Sequence, residues 1–152
     1  MHKLALALAA GLIAHSATAE TLRPTAPPPS PVVVAPMPFA QALVLVRASL
    51  VALHQANLTN DYNVLYRLGT RRFQATTTPD QLRVAVSKSA GLDLYGILGV
   101  QPTMAAPQLE AGGRQRIAGN FLWGRRQINF ALTVAPEAGM WKLDGLAVGA
   151  AQ

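Results

Sequence analysis

Few residues in this 152-residue chain can do chemistry. Cysteine is absent, which excludes disulfides, thiolate metal ligands and a cysteine nucleophile together. Only one histidine, His54, lies beyond residue 19. Six acids follow residue 38: Asp61, Asp80, Asp93, Glu110, Glu137 and Asp144. One histidine and six scattered acids lack the clustered spacing of a metal site, so neither metal nor cofactor is expected. No G-x-S-x-G elbow is present, and Ser49, Ser87 and Ser89 fall on predicted helices, where a nucleophile is poorly presented. Phosphate-loop and dinucleotide fingerprints are missing too. Acid–base chemistry is what remains, with Asp61, Asp93 or Asp144 beside Tyr62, Tyr66 and His54. Each of these has a plainer role. Asp61 charges a helix N-terminus. The two tyrosines pack with their hydroxyls at a rim. Asp144 is expected to face solvent beside Lys142, and His54 to sit on the wet edge of a helix.

The arginines carry a second signal. From residue 39 onward there are nine Arg and two Lys against six acids, a balance of +5. Arg67, Arg71 and Arg72 gather near the end of a predicted helix. Arg114, Arg116, Arg125 and Arg126 gather on one predicted hairpin. Such a surface attracts anions: an acidic partner, an anionic lipid headgroup or a cell-wall polymer. No aromatic interleaving supports nucleic acid.

The N-terminal region reads as an address and a spacer. Residues 1–19 combine Lys3, an apolar run from Leu4 to Ala14 and an Ala17-Thr18-Ala19 site, the pattern of a cleavable signal peptide with a cut before Glu20. An exported protein, periplasmic or secreted, is expected. Without a cysteine it carries no lipid anchor. Seven of the eleven prolines lie between Pro24 and Pro38. Proline restricts both itself and the preceding residue, so residues 20–38 are expected to be an extended linker.

One domain is expected over 39–149. Phe39, Leu43, Val46, Leu50 and Leu53 recur at helical spacing. Val44, Leu45, Ala48, Val51 and Ala52 widen that stripe, so the first helix is expected to be buried on more than one side. Thr59, Asn60 and Asp61 open a second helix carrying Tyr62, Leu65 and Leu68, which Gly69 closes. Thr78, Pro79 and Gln81 form the capping box of a third, which Gly91 stops. The period then falls to two. Residues 114–123 and 126–135 alternate as strands around a Gly124-Arg125 turn, and Met140–Val148 is a last strand. Within it Trp141 and Leu143 have one parity, Leu146 and Val148 the other, so a β-bulge is expected at Asp144-Gly145. Leu94–Val100 and Met104–Leu109 read as weaker strands. Helices segregated from strands give an α+β fold.

The long first helix, the second helix opened by Asn60-Asp61-Tyr62, the capped third and the closing Gly139-Met140-Trp141-Lys142-Leu143-Asp144-Gly145-Leu146-Ala147-Val148 resemble the NTF2-like (cystatin-like, SnoaL/ketosteroid-isomerase) superfamily. The similarity is nearest to secreted bacterial members of unknown function and spans about residues 39–149. It implies three helices on a curved antiparallel sheet of four to five strands, closed into a cone. It makes His54, Tyr62, Tyr66, Asp93, Trp123 and Trp141 candidates to line that cone, and the free sheet face a candidate homodimer surface. The fold hosts enzymes, binders and scaffolds alike. The expectation here is a non-enzymatic binding or scaffold module for an apolar small molecule or an acidic partner. The alternative is an isomerase or dehydratase using a pocket carboxylate and a tyrosine. The SnoaL-type His/Asp pair has no counterpart, because no predicted strand carries a histidine.

Overall fold

A computed structural model of the chain describes residues 35–151. The expected signal peptide and most of the expected linker lie outside the described residues. The elements run α1 (Phe39–Thr59), α2 (Asn63–Arg67), α3 (Arg71–Thr76), α4 (Pro79–Ala85), β1 (Thr103–Met104), β2 (Gln108–Leu109), β3 (Gln115–Trp123), β4 (Arg126–Glu137) and β5 (Met140–Ala150). The fold is α+β, with helices packed on one five-stranded antiparallel sheet. Strand order is β1-β3-β4-β5, with β2 also paired to β3.

Local signals explain most helix ends. Pro38 has no N–H to donate, and its carbonyl accepts the first helical bond from Ala42 at 3.0 Å. Asn60, left-handed at φ 52°, ends α1. The Asp61 carboxylate then accepts from the Asn63 N–H at 2.9 Å and starts α2. At α4 the Gln81 N–H donates to the Thr78 hydroxyl and the Thr78 N–H to the Gln81 side chain, the reciprocal capping pair. The helix ends at Ala85, well before Gly91, and a 3-10 turn over Ser87–Ser89 follows.

Four sequence expectations are corrected. The stretch expected to hold three helices holds four, because the Thr70 hydroxyl accepts from the Phe73 N–H and starts the short α3. Leu94–Val100 is not a strand. The Asp93 carboxylate accepts from the Gly96 N–H at 2.9 Å, and a 3-10 turn runs over Gly96–Gly99. Leu94 and Ile97, both fully buried, are three residues apart, the period of that turn rather than of a strand. Third, α1 buries one stripe only: Val46, Leu50 and Leu53 are inaccessible, whereas Val44 and Leu58 are 65% and 68% exposed. Met104–Leu109 is two short strands instead of one. Pro107 lies between them and offers no N–H to a ladder.

The core face of the sheet follows from register. Ile117 pairs with Leu132 and Phe121 with Ile128; Leu132 pairs in turn with Leu146, and Phe130 with Val148. All lie under α1 and the loops in one apolar cluster. Between Thr133 and Val134 the register shifts. Thr133 faces Gly145, Val134 faces Leu143, and Asp144 is the extra residue. The expected bulge is therefore present, and it returns Leu146 and Val148 to the face of Leu143.

Gly119 is required where the Phe130 ring and the Thr103 carbonyl approach β3. A side chain there would collide with the Thr103 carbonyl and come within 2.9 Å of Phe130 Cζ. The bare backbone lets Phe130 reach Phe121, with ring centroids 5.3 Å apart. Among the described residues two polar ones, Ser89 and Gln115, sit wholly inside. Gln115 donates to the Ala35 carbonyl at 3.0 Å and accepts from the Met37 N–H at 2.7 Å. Both ends of the buried amide are thus satisfied, and the chain entering α1 is tied to the start of β3.

Candidate functional site

The six candidates for a shared pocket are dispersed. Tyr62 is buried, and its hydroxyl donates to Asn57 Oδ1 at 2.8 Å. Asn57 in turn donates to Ser89, linking α1, α2 and the turn after α4. The Tyr66 hydroxyl donates to the Gln74 carbonyl at 3.2 Å. His54 is half-buried beside Tyr95, ring centroids 5.8 Å apart. Trp123 pairs across from Arg126 and Trp141 across from Pro136, at opposite ends of β4. Ten residues of strand, roughly 33 Å at about 3.3 Å each, keep the two indoles apart. Trp141 packs half-buried against the core. Of the six, Asp93 and Trp123 line a common pocket.

The arginines also divide. Those of the expected hairpin cluster lie at its two ends, roughly 30 Å apart for nine steps of strand. At one end Arg114 joins Arg72, from the other sequence cluster, on a single carboxylate. Asp144 Oδ2 lies 3.6 Å from Arg114 and 3.9 Å from Arg72. The Thr70 hydroxyl donates to its Oδ1 at 2.6 Å. The Asp144 side chain is only 4% exposed, so the expectation that it faces solvent is overturned. The bulge is the reason, since the extra residue turns its side chain out of the alternation and toward the α2–α3 link. That link is pinned there as well: the Thr70 N–H donates to the Leu143 carbonyl, and the Leu143 N–H to the Leu68 carbonyl. Next to this network Glu137 accepts from Lys142 Nζ at 2.8 Å and from the Arg71 N–H at 2.9 Å. The Lys142 bond first, and then the Arg71 bond, hold its carboxyl below the usual value. Thr70, Arg72, Arg114, Glu137 and Asp144 rim a shallow pocket of about 190 Å³. Its charges are already mutually compensated, so it reads as a structural clasp.

Arg71 is exposed beside this clasp, and Arg67 is exposed at the end of α2. Arg116 is exposed on the outer face of the sheet. There Ala118, Ala131 and Ala147 stand in one cross-strand row, and Arg116 and Lys88 flank an open groove of about 610 Å³.

The far end of the hairpin is different. Leu92, Asp93, Trp123, Arg125, Arg126 and Ile128 line a depression of about 270 Å³. Trp123 remains 42% exposed. Gly96 backs the site: a methyl group there would collide with the Asp93 carboxylate and lie 2.9 Å from Trp123 Cζ2. Its backbone N–H engages Asp93 Oδ1. Arg125 and Arg126 are exposed and form no ion pair among the described residues. An open indole, two uncommitted guanidinium groups and a carboxylate oxygen thus surround one recess.

Among the described residues no three His, Cys, Asp or Glu side chains gather in a way that could hold a metal ion. In comparisons with known proteins the chain matches no family model, no curated protein and no solved structure. The Trp123 recess was half legible in the sequence: Trp123, Asp93, Arg125 and Arg126 were each candidates, but Leu92 and Gly96 were not. Their part depends on a loop meeting a strand end across about thirty residues of chain.

Proposed function

We propose that the chain is an exported, non-enzymatic binding module of NTF2-like build, and that its ligand is an anionic component of the cell envelope. The Trp123 recess carries this reading, because it brings an exposed indole and two arginines without ion pairs among the described residues to one pocket. Elsewhere three polar side chains near the core are engaged in holding the fold: Gln115 on Ala35 and Met37, Tyr62 on Asn57, and Asp144 on Thr70; the buried Arg47 Nε is left without a partner among the described residues. An acid–base enzyme needs polar groups converging on a substrate within a pocket. The tyrosines and the buried carboxylate that would supply them are bonded to separate elements. The NTF2-like reading draws support from the order of helices before an antiparallel sheet and from the bulge that bends β5. Export draws its support from residues 1–19, and with it an envelope ligand in place of nucleic acid.

The test is native mass spectrometry of protein recovered from the envelope of cells that produce it. The expected result is a chain beginning at Glu20 that retains a negatively charged adduct. The same protein should bind polyglutamate or anionic vesicles at low salt and release them as the screening length shortens from about 30 Å at 0.01 M to about 3 Å at 1 M. A chain still beginning at Met1 would remove the export reading. A mature chain indifferent to every polyanion at low salt would remove the binding reading.

A further inference from the structure

Resting on the anion-binding reading, we infer that the Trp123 recess takes an acidic sugar unit, a pyranose ring bearing a carboxylate. Three features of the recess match three features of such a ring. A sugar ring presents a face of C–H bonds with slight positive charge, which packs on the negative face of an indole. Trp123 supplies an indole, 42% exposed at the strand end and lining the recess. A carboxylate takes paired, charge-assisted hydrogen bonds from a guanidinium fork. Arg125 and Arg126 flank the indole and are engaged with no carboxylate among the described residues. Sugar hydroxyls are donors and need an acceptor. Asp93 holds the Gly96 N–H with Oδ1 and lines the recess beside Trp123.

Size and charge narrow the occupant. At about 270 Å³ the recess lies just below the range of roughly 300–1,000 Å³ for pockets holding drug-sized ligands. It fits one ring, not a base, ribose and phosphate together. Two arginines against one aspartate leave the site positive, so a carboxylated ring is favoured over a neutral one. A lipid bilayer fits less well. The Asp93 carboxylate would face its anionic headgroups, and a flat surface has no use for an acceptor set inside a recess. Gly96 keeps the carboxylate and the indole together, since a side chain there would collide with Asp93 and crowd Trp123.

The experiment titrates the full chain with trigalacturonate, with neutral galactotriose and with phosphatidylglycerol vesicles, following indole fluorescence and calorimetry. Polyglutamate serves as a polyanion without rings. Trigalacturonate should bind and galactotriose should bind at least about tenfold more weakly, the scale of a lost charge-assisted pair. Trp123→Ala and Arg126→Ala should each weaken the acidic trimer by about tenfold. Both side chains lie at the open strand end, so melting temperatures should stay within a degree or two of wild type, which is measured alongside. Arg116→Ala makes the same change of charge on the outer sheet face and should leave the affinity intact. Equal binding of the acidic and neutral trimers overturns the inference, as does an Arg116→Ala loss equal to that of Arg126→Ala. Binding of vesicles or polyglutamate without binding of trigalacturonate overturns it too, while leaving the broader anion-binding reading in place. If none of the four probes binds, both readings fall.

Discussion

The Thr70 hydroxyl donates to the Asp144 carboxylate at 2.6 Å across 74 residues of sequence. The same hydroxyl oxygen accepts from the Phe73 N–H at 3.0 Å and starts α3. One side chain thus caps a helix and fastens it to the bulge of β5. Thr70→Val keeps the shape and removes both bonds. It strands a buried acceptor, at about 1–3 kcal/mol, and a helix cap, at about 1 kcal/mol. A loss of about 2–4 kcal/mol is expected in urea denaturation, with Thr70→Ser close to wild type. A Thr70→Val midpoint equal to wild type would show that the clasp contributes nothing.

Two glycines of the sheet should respond in opposite ways. At Gly119 a methyl group meets the Thr103 carbonyl and Phe130, so Gly119→Ala should cost about 1–3 kcal/mol through overpacking. At Gly149 nothing lies within 4 Å of the added carbon and φ is not positive. There Ala should be neutral or stabilising by up to about 1 kcal/mol, because it restricts the unfolded chain. Equal melting temperatures for the two variants would contradict the close approach of Phe130 and the Thr103 carbonyl to Gly119.

Phe121 and Trp141 separate full from partial burial. Phe121 is inaccessible to solvent, and Phe121→Ala should cost about 3–5 kcal/mol, a large share of the roughly 5–15 kcal/mol available to a domain. Trp141 is half-buried against the same core. Its truncation should cost less, about 2 kcal/mol, at the low end for large-to-small changes. His54→Ala, at the helix edge beside Tyr95, should cost least of the three. Calorimetric melts rank them, and Trp141→Ala at or beyond Phe121→Ala would move the centre of the core to the β4–β5 turn.

Glu137 gives the fold a pH dependence of known sign. The Lys142 bond, and after it the Arg71 N–H, hold its carboxyl below the ordinary value of 4.5. A group depressed in the folded state stabilises it fully above the unfolded value and loses that contribution as pH falls through the folded value. Wild type should therefore exceed Glu137→Gln in stability at pH 7, with the gap closing below about pH 4.5. Asp61, lowered by its bonds to Asn63, acts in the same direction and remains in both proteins. Denaturation midpoints from pH 7 to pH 3 measure the gap. One that stays constant over that range rules out the Glu137 linkage.

Residues whose partners are near in sequence announced themselves. The Thr78–Gln81 capping pair needs only a spacing of three, and β4 needs only alternation. The bulge was legible for the same reason: parity along a single strand must slip if four apolar side chains are to share one face. What Asp144 would meet there was not legible, because Thr70, Arg72 and Arg114 reach it only once the α2–α3 link and the start of β3 have been set beside β5. Composition likewise showed an excess of arginine, but the length of β3 decided that Arg114 joins a compensated clasp while Arg125 and Arg126 stay uncommitted beside Trp123. Local backbone preference is encoded within a few residues. Whether a charge is neutralised depends on which distant groups the register brings within about 4 Å, a distance that no single segment contains.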